Sequence, residues 1–256
     1  MDLRQQILDK AKEAGASLAG IARVEHIRQA PAHQVFPRLK DYSGVGTPAD
    51  GTIGTGEQDW PGEARSALVI ALEHPESKPE LDWWDGKGTP GNRALMEIFK
   101  KVRPWIEDEL DIRTHRLHYY VQKGGVFLKD AAVLAGLGCL GQSNLLVTPE
   151  LGPRVRLRAL FLEVELEPTG PIDFDPCADC DQLCRQACPE LAMDSFVPAF
   201  EAFSGLSLPA RDGTYDRDVC NARMEKDMAA SEALSGQESS VIKYCRECEF
   251  ACPVGG

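Results

Sequence analysis

Cys177-Ala-Asp-Cys180-Asp-Gln-Leu-Cys184-Arg-Gln-Ala-Cys188-Pro189 is answered later by Cys245-Arg-Glu-Cys248-Glu-Phe-Ala-Cys252-Pro253, and the organisation of the 256-residue chain is read from these two runs. A 4Fe-4S cluster needs four thiolates on one small cube, three from a tight loop and a fourth from elsewhere. Both runs end in Cys-Pro, the ending of the bacterial ferredoxin run, in which the last cysteine crosses to the other cluster. On that scheme one cube takes Cys177, Cys180, Cys184 and Cys252. The other takes Cys188, Cys245 and Cys248, and Cys220 is the cysteine of the tail that remains for its fourth position. Three residues rather than two separate Cys180 from Cys184, which keeps a single cluster, zinc and disulfides open as alternatives. Disulfides suit small secreted scaffolds, whereas this chain opens MDLRQQILDKAKEAG with no apolar signal stretch. Cys139 is left over and reads as a packing residue.

Working outward, the composition is that of a soluble globular chain, 43% hydrophobic and 27% charged, long enough for one core and a smaller appended unit. No apolar run approaches the ~20 residues of a spanning helix, so cytoplasm is the expected location. Nine cysteines in such a chain point to a reducing compartment and low oxygen. Forty acidic against 28 basic residues give a net charge of -12, the wrong sign for holding phosphate backbones, which argues against nucleic acid as a partner and fits docking to a redox protein.

The first part of the chain alternates helical and strand patterns. Leu3, Ile7, Leu8 and Ala11 recur at helical spacing up to a stop at Gly15, and residues 17–22 read as a short buried strand. Residues 41–62 are a long polar loop, read either as a binding lid or as a plain excursion. Residues 66–72 predict a central strand buried on both faces, and 92–110 an amphipathic helix. Residues 116–121, 144–148 and 155–166 read as strands, and 126–135 as a short helix. This is an α+β domain ending near residue 170, with the cysteine region a separate unit.

Ala135-Gly-Leu-Gly-Cys-Leu-Gly141-Gln-Ser-Asn144 lies after a helix and lacks the context of a dinucleotide fingerprint. Its glycines suit a helix stop with close packing, or backbone approach to a flat cofactor. Gly124 and Gly125 allow the same two readings. Arg154, Arg156 and Arg158 alternate along a strand, where they either gather anionic groups or face solvent. His115 and His118 beside Tyr119 and Tyr120 are read as surface or packing groups unless partners stand near them.

Leu128-Lys-Asp-Ala-Ala-Val-Leu-Ala-Gly-Leu-Gly138, Gly141-Gln-Ser-Asn-Leu-Leu146 and Pro149-Glu-Leu-Gly152, followed by the double cysteine run, resemble the epoxyqueuosine reductase and reductive dehalogenase family of iron–sulfur, cobalamin-dependent enzymes. The resemblance implies a nitroreductase-like α/β sandwich domain over residues 1–170 that holds cobalamin, with flavin as the alternative. A ferredoxin-like domain over 171–256 would carry two 4Fe-4S clusters and pass electrons to cobalt. It implies Gln122, Gly124, Gly125, Gly136, Gly138, Cys139, Gly141, Ser143, Asn144 and Arg154 around that cofactor. A ferredoxin- or flavodoxin-type donor is the implied partner, with a small substrate or a second corrinoid protein as acceptor. Two departures stand out. Where epoxyqueuosine reductases carry an acidic proton donor, about thirteen residues before Ala-Gly-Leu-Gly, this chain has Gln122, and an amide is no general acid near neutral pH. Tyr120 and Lys123 are then the groups left to deliver a proton. The chain also stops four residues after Cys252, without the helical repeats of many tRNA-acting members. Together with the acidic balance, these departures lead to the expectation of an iron–sulfur redox protein rather than an epoxide reductase; a reductase with an altered acid and a non-enzymatic electron carrier are the alternatives.

Overall fold

The computed structural model describes residues 2–36, 60–85, 87–203, 205–235, 241–242 and 244–255. Most of the long polar loop read at 41–62 lies outside them. The chain forms two compact units. One comprises Met1–Leu72, Leu95–Cys139 and Leu157–Asp173; the other comprises Glu73–Ala94, Leu140–Arg156 and Phe174–Gly256. Where the sequence reading draws a single boundary after residue 170, packing also gathers residues 73–94 and 140–156 with the cysteine-rich part. The physical reason is side-chain chemistry described below: those two segments carry the charged groups that hold the cysteine runs.

The first unit is helix and sheet. Helix α1 (Leu3–Glu13) buries Ile7, Leu8 and Ala11, the i, i+4 stripe of an amphipathic helix. It stops before Gly15, whose φ is +118°. Strand β1 (Leu18–Arg23) follows, then two short helices, α2 (Val24–Gln29) and α3 (Pro31–Val35). Strand β2 (Ser66–Glu73) is buried along its first six residues, as expected of a strand covered on both faces. Strands β4 (Thr114–Arg116) and β7 (Val155–Leu162) complete a sheet of order β1-β2-β7-β4. β1 and β2 are antiparallel, with Leu18 opposite Ala71, and β4 and β7 are antiparallel, with Arg116 opposite Leu160. Helix α4 (Pro90–Glu109) contributes Leu95, Ile98, Val102 and Ile106 to a core shared with α1 and with Leu68, Leu160 and Leu162.

The strand read at 116–121 is instead three residues long and lies earlier, at 114–116. It gives way to a 3₁₀ turn at Val121–Lys123 that is closed by Gly124 at φ +94°. Helix α5 (Leu128–Leu134) ends at Ala135, and Gly136 follows at φ +70°. A Cβ at Gly136 would lie 2.6 Å from the Thr169 carbonyl oxygen, so this glycine is a helix stop packed against backbone. Thr169 ties the joint together: its hydroxyl accepts from the Ile21 N–H at 2.8 Å and donates to the Ala135 carbonyl at 2.6 Å.

His33 on α3 is the core's one strongly shifted imidazole. Its Nε2 accepts from the Phe127 N–H at 3.1 Å, and the rings of Trp60 and Phe127 meet it edge-on. Burial, helped by the positive charge of Arg28, lowers its pKa from 6.5 to about 4. A buried neutral histidine stabilises the fold above the unfolded pKa, and that contribution is lost as pH falls from 6.5 towards 4. Stability is expected to fall there by about 1.4 kcal/mol per pH unit more in the wild type than in His33→Gln. Equal slopes in denaturant titrations of the two proteins across that window would remove His33 from the account. No helix among the described residues is long and apolar enough to cross a membrane.

Candidate metal centre

The second unit places the cysteine runs on short elements. Cys184 lies in α6 (Leu183–Gln186), Cys220 near the start of α7 (Arg217–Ser235) and Cys248 in α8 (Glu247–Phe250), and α6 packs against α8. Two-stranded pieces complete the chain's sheets: β3 (Trp83–Trp84) with β8 (Val241–Ile242), and β5 (Cys139–Leu140) with β6 (Leu146–Val147). Asp216 caps α7, its carboxylate accepting from the N–H groups of Asp218 and Val219 at 2.9 and 3.1 Å. That cap sets the first turn of the helix, and Cys220 with it.

All nine cysteines stand as thiols rather than disulfides. Their electrostatic neighbourhoods link eight of them. Burial pushes the Cys184 thiol up, and Cys177, Cys252 and Cys180 push it the same way. Cys252 is raised by burial and by Cys177 and Cys180. Cys248 is raised chiefly by burial, then by Cys220, Cys245, Cys184 and Cys188. Among the described residues no three His, Cys, Asp or Glu side chains stand close enough to hold a single ion. Cys188 Sγ already accepts a hydrogen bond, from the Ala192 N–H at 3.3 Å, the kind of contact that tunes cluster sulfur. The donor set fits two 4Fe-4S clusters.

Charged side chains fasten each run. Arg211 grips both oxygens of Asp175 at 2.6 and 2.5 Å, and Asp175 in turn accepts from the Cys177 N–H at 3.1 Å. Arg185, between Cys184 and Cys188, donates to the carbonyls of Met193 and Ala210 and to Asp212. Arg154 donates to the carbonyls of Glu249, Cys252 and Val254, so its guanidinium is spent on the segment that carries the last thiol. Arg246, between Cys245 and Cys248, is buried and bonded to the His74 carbonyl, to Glu249 and to Asp82, the last at 3.0 Å. Arg156 bridges the same two acids at 3.2 Å each. Burial works to raise the Asp82 carboxyl, but the His74 hydrogen bond and the charges of Arg156 and Arg246 outweigh it and hold the acid below its ordinary value. His74 bonds Asp82 through Nδ1 at 3.0 Å, while its Nε2 is buried without a hydrogen-bond partner, against Gly91.

The residues expected around a flat cofactor meet a mixed outcome. A Cβ at Gly125 would strike the His118 and Tyr120 carbonyls, and one at Gly141 the Val147 side chain. With Gly136 filled by Thr169, three of the glycines serve the chain's own packing. Gly124 has open space beside it, and Gly138 has a φ of +158°. Gln122 and Lys123 lie in the 3₁₀ turn that follows Tyr120, with Lys123 exposed. Gln142 donates to the Cys177 carbonyl at 3.1 Å, and its Oε1 is buried without a hydrogen-bond partner. Ser143 is buried, and Asn144 Oδ1 accepts from the Ala210 N–H. Cys139 is half-buried rather than sealed in the core. His115 is paired with Glu163 at 2.7 Å, and His118 is exposed. Sequence reasoning missed the Asp82, Arg246 and Glu249 network; an arginine inside Cys245-x-x-Cys248 was its one visible signal.

Fold and thiols together define a mixed α+β protein with a cysteine-rich unit. No protein-family model matches the chain. An epoxyqueuosine reductase of Gloeobacter violaceus is 26% identical over 97% of this chain and 75% of its own length. A tetrachloroethene reductive dehalogenase of Sulfurospirillum multivorans is 39% identical over 28% of this chain, which spans 15% of that protein. The solved epoxyqueuosine reductase of Streptococcus thermophilus superposes with a TM-score of 0.62 at 20% identity, covering 100% of this chain and 66% of that one. The chain is thus similar in sequence and in fold to epoxyqueuosine reductases, and over a shorter stretch of sequence to reductive dehalogenases.

Proposed function

We propose that this chain is an iron–sulfur oxidoreductase whose two 4Fe-4S clusters are held by Cys177, Cys180, Cys184 and Cys252 and by Cys188, Cys220, Cys245 and Cys248. The observation that supports the reading is the grouping of the thiols: Cys184 lies in the field of Cys177, Cys180 and Cys252, and Cys248 in that of Cys220, Cys245 and Cys188, with Cys184 of the other set reaching it too. On this reading the first unit is a nitroreductase-like domain and the second a ferredoxin-like one. On this reading a ferredoxin- or flavodoxin-type protein is the electron donor, and cobalamin, when bound, would supply low-potential cobalt chemistry. The acceptor beyond it is a small substrate or another corrinoid protein. Family likeness supports the corrinoid; the residues of the individual units do not add to it. Gln122 cannot act as an acid, so proton delivery falls to Lys123 or Tyr120 in the same turn.

Anaerobic reconstitution tests the ligand set. The wild type is expected to hold about eight irons per chain and Cys220→Ala about four, the count for loss of one cluster. An unchanged iron-to-protein ratio would refute the role of Cys220. Titration of the reconstituted protein with cob(II)alamin, followed by EPR, tests the acceptor: a base-off cobalt signal supports it, and an unaltered one leaves an electron carrier.

A further inference from the structure

The three alternating arginines of 154–158 part company in the structure. Arg154 and Arg156 are consumed by the cysteine-rich unit, and Arg158 is not. Among the described residues Arg158 has no carboxylate partner; its guanidinium lies 5.3 Å from the Tyr119 ring centroid. It lines a cleft of about 100 Å³ in the first unit together with Met96, Phe99, Lys100, Arg116, Leu117 and Leu160. Arg116 stands opposite Leu160 across the β4–β7 pair, and Arg158 is two residues from Leu160 on the same strand, hence on the same face. Arg116 is exposed and likewise has no carboxylate partner among the described residues. Lys100 is paired with Glu97. Two guanidinium charges thus remain uncompensated over an apolar floor, in a chain of net charge -12.

We infer that this cleft binds a small phosphate monoester carrying an apolar group, its dianionic head between Arg116 and Arg158 and its apolar part on Phe99 and Leu117. Charge selects the head: two unpaired guanidinium groups match a dianion, and their planar forks suit phosphate oxygens. Size selects a small body, since the cleft is well below the ~300–1,000 Å³ of ordinary ligand pockets. The site owes nothing to iron or corrinoid, so it stands or falls apart from the redox reading.

Phenyl phosphate is the probe, titrated calorimetrically into the anaerobically reconstituted protein. Arg116→Gln and Arg158→Gln are each expected to weaken its binding about 10- to 100-fold, the range for one charged hydrogen-bond partner. Arg113→Gln, outside the cleft and largely exposed, should leave it unchanged. Inorganic phosphate and benzoate should each bind more weakly, the first lacking the apolar body and the second a charge. Circular dichroism identifies any variant that has lost its fold, in which case the lysine variants replace it. No binding of phenyl phosphate at millimolar concentration would overturn the inference. So would equal affinity in the wild type and both cleft variants, or binding of inorganic phosphate or benzoate as tight as that of phenyl phosphate.

Discussion

Arg246→Met is expected to destabilise the cysteine-rich unit by about 3–5 kcal/mol, the cost of breaking a buried ion pair from one side. The reason lies in what the substitution leaves behind. Asp82 and Glu249 are 1% and 4% exposed; without Arg246 the arginine left between them is Arg156, and only Asp82 keeps a further partner, His74. A buried carboxylate short of partners keeps its desolvation penalty and loses the Coulombic return. The His74 carbonyl loses its donor as well. Because Arg246 sits between Cys245 and Cys248, the same change should loosen both thiols and raise the rate at which a chelator strips iron. Urea unfolding and chelator kinetics on one preparation check both effects. Wild-type values in the two measurements would mean that the network is ornamental. Asp82→Asn should reproduce part of the loss, since it keeps the side chain's shape and removes one of the two acids.

Gly152→Ala is expected to cost the protein most of one cluster while leaving the other intact. Gly152 has φ +56°, and a Cβ there would stand 1.9 Å from the Val254 carbonyl oxygen. Left-handed backbone costs a non-glycine residue about 1–2 kcal/mol, but the collision matters more, because both sides of it are backbone. Relieving it means moving residues 252–255 away from the Thr148–Gly152 turn and off the guanidinium of Arg154. Cys252 would move with them. Iron should therefore drop from about eight towards about four per chain, as for loss of one 4Fe-4S cube. Gly205→Ala is the control for backbone strain alone, with φ +94° and nothing within 4 Å of its Cβ. If Gly152→Ala retains as much iron as Gly205→Ala, the clamp on Cys252 has no bearing on the metal.

What the sequence disclosed follows the range of its signals. Hydrophobic periodicity is local, and it located α1, β2 and α4 to within a few residues. Spacing within a loop is local too, so the two cysteine runs stood out in the sequence. The strand read at 116–121 failed because Tyr119 and Tyr120 have strand-like propensity, while Gly124 and Gly125 turn the chain just beyond them. The arginines of 154–158 alternate as a strand requires, yet alternation carries no information about partners. Arg154 reaches carbonyls about a hundred residues away, and nothing near it in the sequence names them. The pairing of Asp82 with Arg246 is hidden for the same reason. A helix over 217–235 went unread because its hydrophobic residues form no sustained stripe; its N-terminal Asp216 cap was the available clue.

The network around Arg246 also bears on the order in which the molecule is made. Asp82, His74 and Arg156 come from segments far from Cys245 in the chain, and their bonds to the loop involve no metal. The entropy of bringing those distant parts together is met by protein folding. On the proposed ligand set, Cys245 and Cys248 then receive iron in a loop that is already fixed. Loading such a loop is template-directed docking of an inorganic core, unlike the metal-driven collapse of a small zinc finger. Its rate should accordingly be governed by delivery of iron and sulfide rather than by rearrangement of the chain.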